Sequence, residues 1–264
     1  MLRAAVFLYG FSAVATGIAN IVWHEFDPAE EPIKATFGGN IPGLDIFALL
    51  VAVALIVGGV ALFWRRTTRL GATLLAAVYA TFAFFYAPRL ITAPHYLGYH
   101  VGVYAGVFGG IFQQLVLIAA AIIVIAWVSA RYAAVPNRAI VVARWIFGLG
   151  AIDFGLAHLY GITASAYLVP RYMPFGQEFW VVLTGVAFLL AGVAILASFL
   201  DTLASRLLAL MLLTFSAIAL LPNIFMYPHA HAAWGVNAFN LAEVAAIWIY
   251  AEWLQCATNR MRST

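Results

Sequence analysis

The segment Pro222-Asn223-Ile224-Phe225-Met226-Tyr227-Pro228-His229-Ala230-His231 interrupts two long apolar runs and carries two of the chain's six histidines. Pro88-Arg89-Leu90-Ile91-Thr92-Ala93-Pro94-His95, with His100 five residues on, has the same skeleton 134 positions earlier. Proline, five residues, proline and histidine written twice marks an internal repeat. The flanking runs agree. Gly17-Ile18-Ala19-Asn20 resembles Gly155-Leu156-Ala157-His158, and Val57-Gly58-Gly59-Val60-Ala61-Leu62 resembles Leu190-Ala191-Gly192-Val193-Ala194-Ile195.

Composition sets the class. Of 264 residues, 66% are hydrophobic and 9% charged, whereas a soluble domain carries roughly a quarter charged residues. A membrane-spanning helix needs about 20 apolar residues, and eight such runs use up the chain. The predicted spans are 4–24, 44–64, 70–87, 99–130, 140–163, 177–200, 203–221 and 232–254. The fold expected is all-α: a polytopic membrane protein of two four-helix repeats, 1–133 and 134–264, joined by a short linker at 131–144. Four spans per unit insert both copies the same way up, so the repeats are parallel. The apolar run after Arg3 has a counterpart in the second copy and is expected to be a retained spanning helix.

Charge orients the predicted bundle. Ten of the thirteen Lys and Arg residues (Arg3, Arg65, Arg66, Arg69, Arg131, Arg138, Arg144, Arg206, Arg260 and Arg262) fall on one side. By the positive-inside rule that side, with both termini, is cytoplasmic, in the cell's inner membrane. These basic residues flank spans, so the formal charge of +3 implies topology and no nucleic-acid partner. The opposite face receives Lys34, Arg89 and Arg171, the acids Glu25, Asp27, Glu30, Glu31, Asp45 and Glu178, and the six histidines.

That outer face is the candidate for chemistry. His229 and His231, two apart on an extended segment, would point to one side; with His95, His100 and His24 they are the candidate ligands of a divalent metal. The simpler account is interfacial histidines bonded to loop carbonyls and water. A bis-histidine haem fits poorly, because no histidine pair sits at mid-helix depth. Inside the spans, Asn237, Asn240 and Glu243 recur every three residues on one stripe, with Gln113 and Gln114 placed similarly in the fourth span. Arg144 and Arg206 fall at the cytoplasmic ends of their predicted spans and leave Glu243 and Asp153 without a Lys or Arg at their depth, so each is expected to be neutral or bonded to His158, asparagine or water. Intramembrane carboxyls are costly and functional by default, which makes Glu243, Asp153 and His158 the candidate proton-handling residues. Asn237, Asn240, Gln113, Trp234 and Tyr227 are the candidate walls of a quinone or substrate cavity. The competing account is interhelical hydrogen-bond glue. Gly102, Gly106 and Gly110 form a small-residue face for close packing, internal or between subunits. Cys256 is the sole cysteine, which excludes an internal disulfide or CxxC pair. Phosphate-binding glycine loops, nucleophile elbows and HExxH are absent.

These residues resemble the DoxX-like family of small four-helix membrane proteins, doubled. The resemblance rests on a first helix that opens with arginine and closes in Gly-x-Ala-Asn or Gly-x-Ala-His. A loop with an Ile41-Pro42 or Met173-Pro174 step, a glycine-centred second helix, an arginine-bearing turn and a fourth helix with mid-span asparagine complete it. It implies a quinone-linked redox protein or redox-complex subunit with a membrane or periplasmic partner, and supplies no catalytic residues. A permease for a metal ion or small anion, and a non-catalytic scaffold, are the alternative expectations.

Overall fold

The computed structural model describes residues 1–27, 31–33, 36, 42–129 and 137–261. Glu30, Lys34, Phe37, Ile41, linker residues 131–136 and Arg262 lie outside the described residues. The described chain is 84% helix without strands, and eight helices are long and apolar enough to cross a membrane. The helices are α1 (Leu2–Trp23), α2 (Leu44–Ala61), α3 (Thr68–Tyr86), the short α4 (Arg89–Leu97) and α5 (Val101–Ser129). They continue as α6 (Asn137–Tyr160), the short α7 (Ile162–Ala166), α8 (Gln177–Leu196), α9 (Asp201–Phe215), the short α10 (Leu221–Met226) and α11 (His231–Met261). The seventh span combines α9, a π-helical segment Ser216–Leu220, and α10.

Each span packs on its sequence neighbours, α1 on α2, α2 on α3 and α3 on α5, then α6 on α8, α8 on α9 and α9 on α11. The first span of each half also packs on the last span of the other, α1 on α11 and α6 on α5, and α5 meets α11 in the middle. The two closing helices therefore form one shared wall. Its buried residues include the small Ala119, Ala120 and Ala121 on α5 and Ala242, Ala245 and Ala246 on α11, beside large ones such as Leu117, Tyr250 and Trp253. Large side chains such as Leu50, Leu70, Leu190 and Phe84 are exposed, as a lipid-facing surface requires.

Lipid tails are as apolar as leucine, so burial supplies little drive for helix association, and close backbone packing must do the work. The halves achieve it at equivalent glycines. A Cβ at Gly10 would sit 2.6 Å from Gly59 O, and one at Gly192 2.7 Å from Gly148 O. Farther along, Gly17 faces Ala52 O at 2.6 Å and Gly155 faces Gly185 O at 2.8 Å. Arginines fasten the end that carries the termini. Arg3 donates to Phe63 O (2.8 Å) and Thr68 Oγ1 (3.3 Å), Arg206 pairs with Glu252 at 2.9 Å, and Arg144 lies 3.6 Å from Asp201.

The halves differ at the next crossing. Gly58 of α2 and Gly71 of α3 meet so closely that a Cβ on Gly71 would lie 2.5 Å from Gly58 O. Their counterparts, 133 positions on, are Ala191 and Ala204, and both line an open groove between α8 and α9. The proline motif is offset by 134, one residue more. The π segment Ser216–Leu220 lies between these two registers, and its i→i−5 bonding, seen in Leu221 N–H donating to Ser216 O, lodges one extra residue in a turn.

The proline motifs also fold differently. Pro94 and His95 lie inside α4, whereas α10 ends at Met226 and Pro228 sits in a turn before α11. In the stripe Gly102, Gly106 and Gly110, only Gly110 receives a close partner, the ring of Tyr86, and Gly106 faces open space. Gly71→Ala is expected to lower the thermal midpoint in detergent, by about 1–3 kcal/mol of overpacking, while Gly106→Ala leaves it unchanged. Equal melting of the two variants contradicts the glycine-crossing account.

Candidate functional site

Among the described residues the histidines do not come together as a metal site. His231 is the first residue of α11 and is buried, while His229 is exposed, so the expected extended pair pointing to one side is not formed. His24, His95 and His100 are exposed as well; His95 Nδ1 contacts Tyr99 Oη at 3.2 Å. Among the described residues no group of three or more His, Cys, Asp or Glu side chains is placed to hold a metal ion.

His231 instead enters a buried polar seam between α1 and α11. Its Nε2 donates to Asn20 Oδ1 (3.2 Å), and Nδ1 lies 3.5 Å from Glu25 Oε1. Its ring stacks on Trp23 with centroids 5.0 Å apart, and Trp23 Nε1 donates to His229 O (3.1 Å). Asn20 Nδ2 in turn donates to both carboxylate oxygens of Glu31, at 2.9 and 3.0 Å, and Asp27 N–H donates to Glu31 Oε2 at 2.7 Å. The Asp27 carboxylate occupies the space a Cβ would need at Gly235 of α11. Phe26 anchors this loop, fully buried against Phe47 and Phe82. Burial raises the Glu31 carboxyl from 4.5 to about 8, against the opposing pull of its Asn20 and Asp27 donors. Asn20, Asp27 and Glu31 were not legible as site residues, because the seam they form closes on His231 and Gly235 of the last span, more than 200 positions from Asn20 and Asp27.

The α11 stripe serves the π segment. Asn237 Nδ2 donates to Leu220 O and Ala233 O, each at 2.8 Å. Asn240 Nδ2 donates to Leu212 O at 3.3 Å and to Ser216 Oγ. Pro222 has no N–H for Ile218 O, four residues back, and Tyr172 Oη donates to that carbonyl instead, at 2.8 Å. The two asparagines thus act as interhelical fastenings. Asn237 also forms the floor of a cleft of about 1130 Å³ at the end opposite the termini, together with Tyr167, Tyr172 and Tyr227. Trp234 is exposed and donates to Pro228 O at 3.0 Å.

The three candidate proton-handling residues lie in one half but on separate surfaces. Glu243 is buried on the shared wall, where Gln113 of α5 hydrogen-bonds its carboxyl, beside a 40 Å³ void lined by Phe154 and Phe188. Asp153 faces Gly109 of α5, and among the described residues its buried Oδ2 has no hydrogen-bond partner. His158 turns the other way. Its Nδ1 contacts Phe154 O at 2.8 Å and its ring tilts against Phe188, with centroids 5.4 Å apart. Because a carbonyl only accepts, Nδ1 carries the hydrogen, and neutral imidazole then keeps Nε2 as an acceptor.

His158 borders a groove of about 400 Å³ between α6, α8 and α9, with Trp180, Met173, Thr184 and Thr214. A second, almost wholly apolar groove of about 390 Å³ continues it toward the other end, and the two share Leu207 and Met211. Between Trp180 and Ala194 the groove follows α8 for roughly 20 Å, at about 1.5 Å per residue, or some two-thirds of the hydrocarbon core. The hydroxyls of Thr184 and Thr214 are committed to their own helix carbonyls, and Trp180 Nε1 donates to Pro174 O (2.7 Å). With these committed, His158 and Ser165 are the polar side chains that an otherwise greasy slot offers an occupant.

The chain matches no family model, no curated protein and no solved structure.

Glu31 yields a test. A carboxyl whose folded value lies near 8 rather than 4.5 makes the folded state hold a proton that the unfolded state releases earlier. Its stabilising share is complete below about 4.5 and is lost as pH rises through about 8. Thermal melts of the wild type should fall across that window, and Glu31→Gln should flatten the slope. An unchanged slope in the variant contradicts the seam assignment.

Proposed function

We propose that this protein is a quinone-linked membrane redox protein, or the quinone-binding subunit of a redox complex, and that the groove between α8 and α9 takes the quinone. The observation that carries this reading is the shape and chemistry of the groove. One end offers a single histidine acceptor among aromatic and methionine side chains, and the other is a long apolar trough open toward lipid. A quinol has the same division: a flat ring with two hydroxyls, and an isoprenoid tail that is stable only in hydrocarbon. His158 Nε2 would accept a hydrogen bond from one hydroxyl of the quinol and take that proton as a positioned base. The two electrons pass to an electron-accepting partner subunit of the complex, and the second hydroxyl proton leaves to water. Trp180 and Met173 supply apolar contact for the ring.

The resemblance to DoxX-like proteins points the same way, toward quinone chemistry in a membrane complex. Glu243 and Asp153 do not reach this groove, and their part in the proposal is limited to the shared wall and the α5–α6 contact. A metal at the outer histidines is not part of it.

Lipid extraction of the purified protein should recover isoprenoid quinone in near-equal molar amount. Added short-tailed quinol, kept reduced, should quench tryptophan fluorescence saturably, with affinity weakened about tenfold by loss of one hydrogen bond in His158→Phe. Quinone-free preparations whose fluorescence ignores added quinol would falsify the proposal.

A further inference from the structure

The outer cleft is a separate cavity. Leu168, Val169, Pro170 and Ala219 line both it and the quinone groove, so these residues form the partition between them. Its floor is a built feature, since the π segment beneath it is held by Tyr172, Asn237 and Asn240. Asn237 is 7% exposed and has both amide hydrogens committed to carbonyls, so it offers an occupant only its Oδ1 acceptor.

Two opposite charges line this cleft, Arg171 and Glu178. Among the described residues neither forms an ion pair, with the other or with a third group. Tyr167, Tyr172 and Tyr227 surround them, exposed at 77%, 69% and 61%, which is the pattern of aromatic residues at the level of lipid headgroups. Phe225 and Met226 stand beside the cleft, exposed and apolar.

We propose that this cleft binds the phosphate–ammonium head of a zwitterionic phospholipid. Arg171 takes the phosphate, for which a guanidinium provides paired, charge-assisted donors. Glu178 and Asn237 Oδ1 accept from the ammonium, and the tyrosine faces attract it through their ring quadrupoles. The acyl chains remain in the bilayer against Phe225 and Met226 and leave the quinone groove free. A purely anionic head would satisfy Arg171 but place its charge beside Glu178, which disfavours it. The assignment does not depend on the quinone reading, because the two cavities have different polar groups.

Native mass spectrometry of the full chain in detergent tests it, with phosphatidylethanolamine and phosphatidylglycerol added at equal concentration. The expected result is preferential retention of phosphatidylethanolamine by about tenfold, the discrimination of one well-placed charge-assisted contact. Arg171→Gln and Glu178→Gln, both at exposed positions and expected to melt like the wild type, should each weaken it. Displacement by millimolar free phosphoethanolamine would assign recognition to the head alone. Retention without displacement would assign it to the bilayer lipid. Equal retention of the two lipids, or unchanged retention in folded variants, overturns the proposal.

Discussion

The bundle depends on how closely two helix backbones approach when lipid offers no hydrophobic drive to push them together. Gly10, Gly59, Gly148 and Gly192 let α1 reach α2 and α6 reach α8 with carbonyls against bare Cα atoms. These crossings hold each half as a unit, and the alanine-rich wall of α5 and α11 joins the halves. Where glycine is kept, at Gly58 and Gly71, α2 and α3 close on each other. Where alanine replaces it, at Ala191 and Ala204, the same architecture parts into a groove. Two methyl groups distinguish the closed crossing of α2 and α3 from the open one of α8 and α9.

The π segment compounds that asymmetry. One extra residue in the seventh span widens a turn, and Pro222 removes a donor just beyond it. Tyr172, Asn237 and Asn240 satisfy the backbone and hydroxyl groups left over. Each such contact is worth on the order of 1 kcal/mol within a membrane, so together they hold an irregular stretch at a fixed shape. That shape forms the partition between the apolar groove and the polar cleft. In the first half Thr36 Oγ1 donates to Phe85 O at 3.0 Å.

Eight spans were legible because each is a long apolar run, and their order needed nothing more than length. The kinship of Gly58-Gly59 with Ala191-Gly192 was legible too, but not its consequence, since one methyl changes a crossing without changing a hydropathy profile. The α11 stripe was recognisable as a polar face. Which way its amides point depended on a π segment that leaves only a one-residue shift in the sequence. His231 drew notice through its neighbour His229, yet its partners Asn20 and Glu25 lie at the other end of the chain. Glu243, Asp153 and His158 share a half, but Asp153 and His158 point to different neighbours, and only the packing separates them.

The central claim is that the open crossing of the second half, and not its closed counterpart in the first, is where a quinone sits. Photolabelling with a quinone bearing an azide on its ring, followed by peptide mapping of the full chain, tests it most directly. The account predicts label on Thr184, Met211 or Thr214, next to His158 in the groove between α8 and α9. Label confined to α2 and α3, or spread evenly over lipid-facing residues, would contradict it.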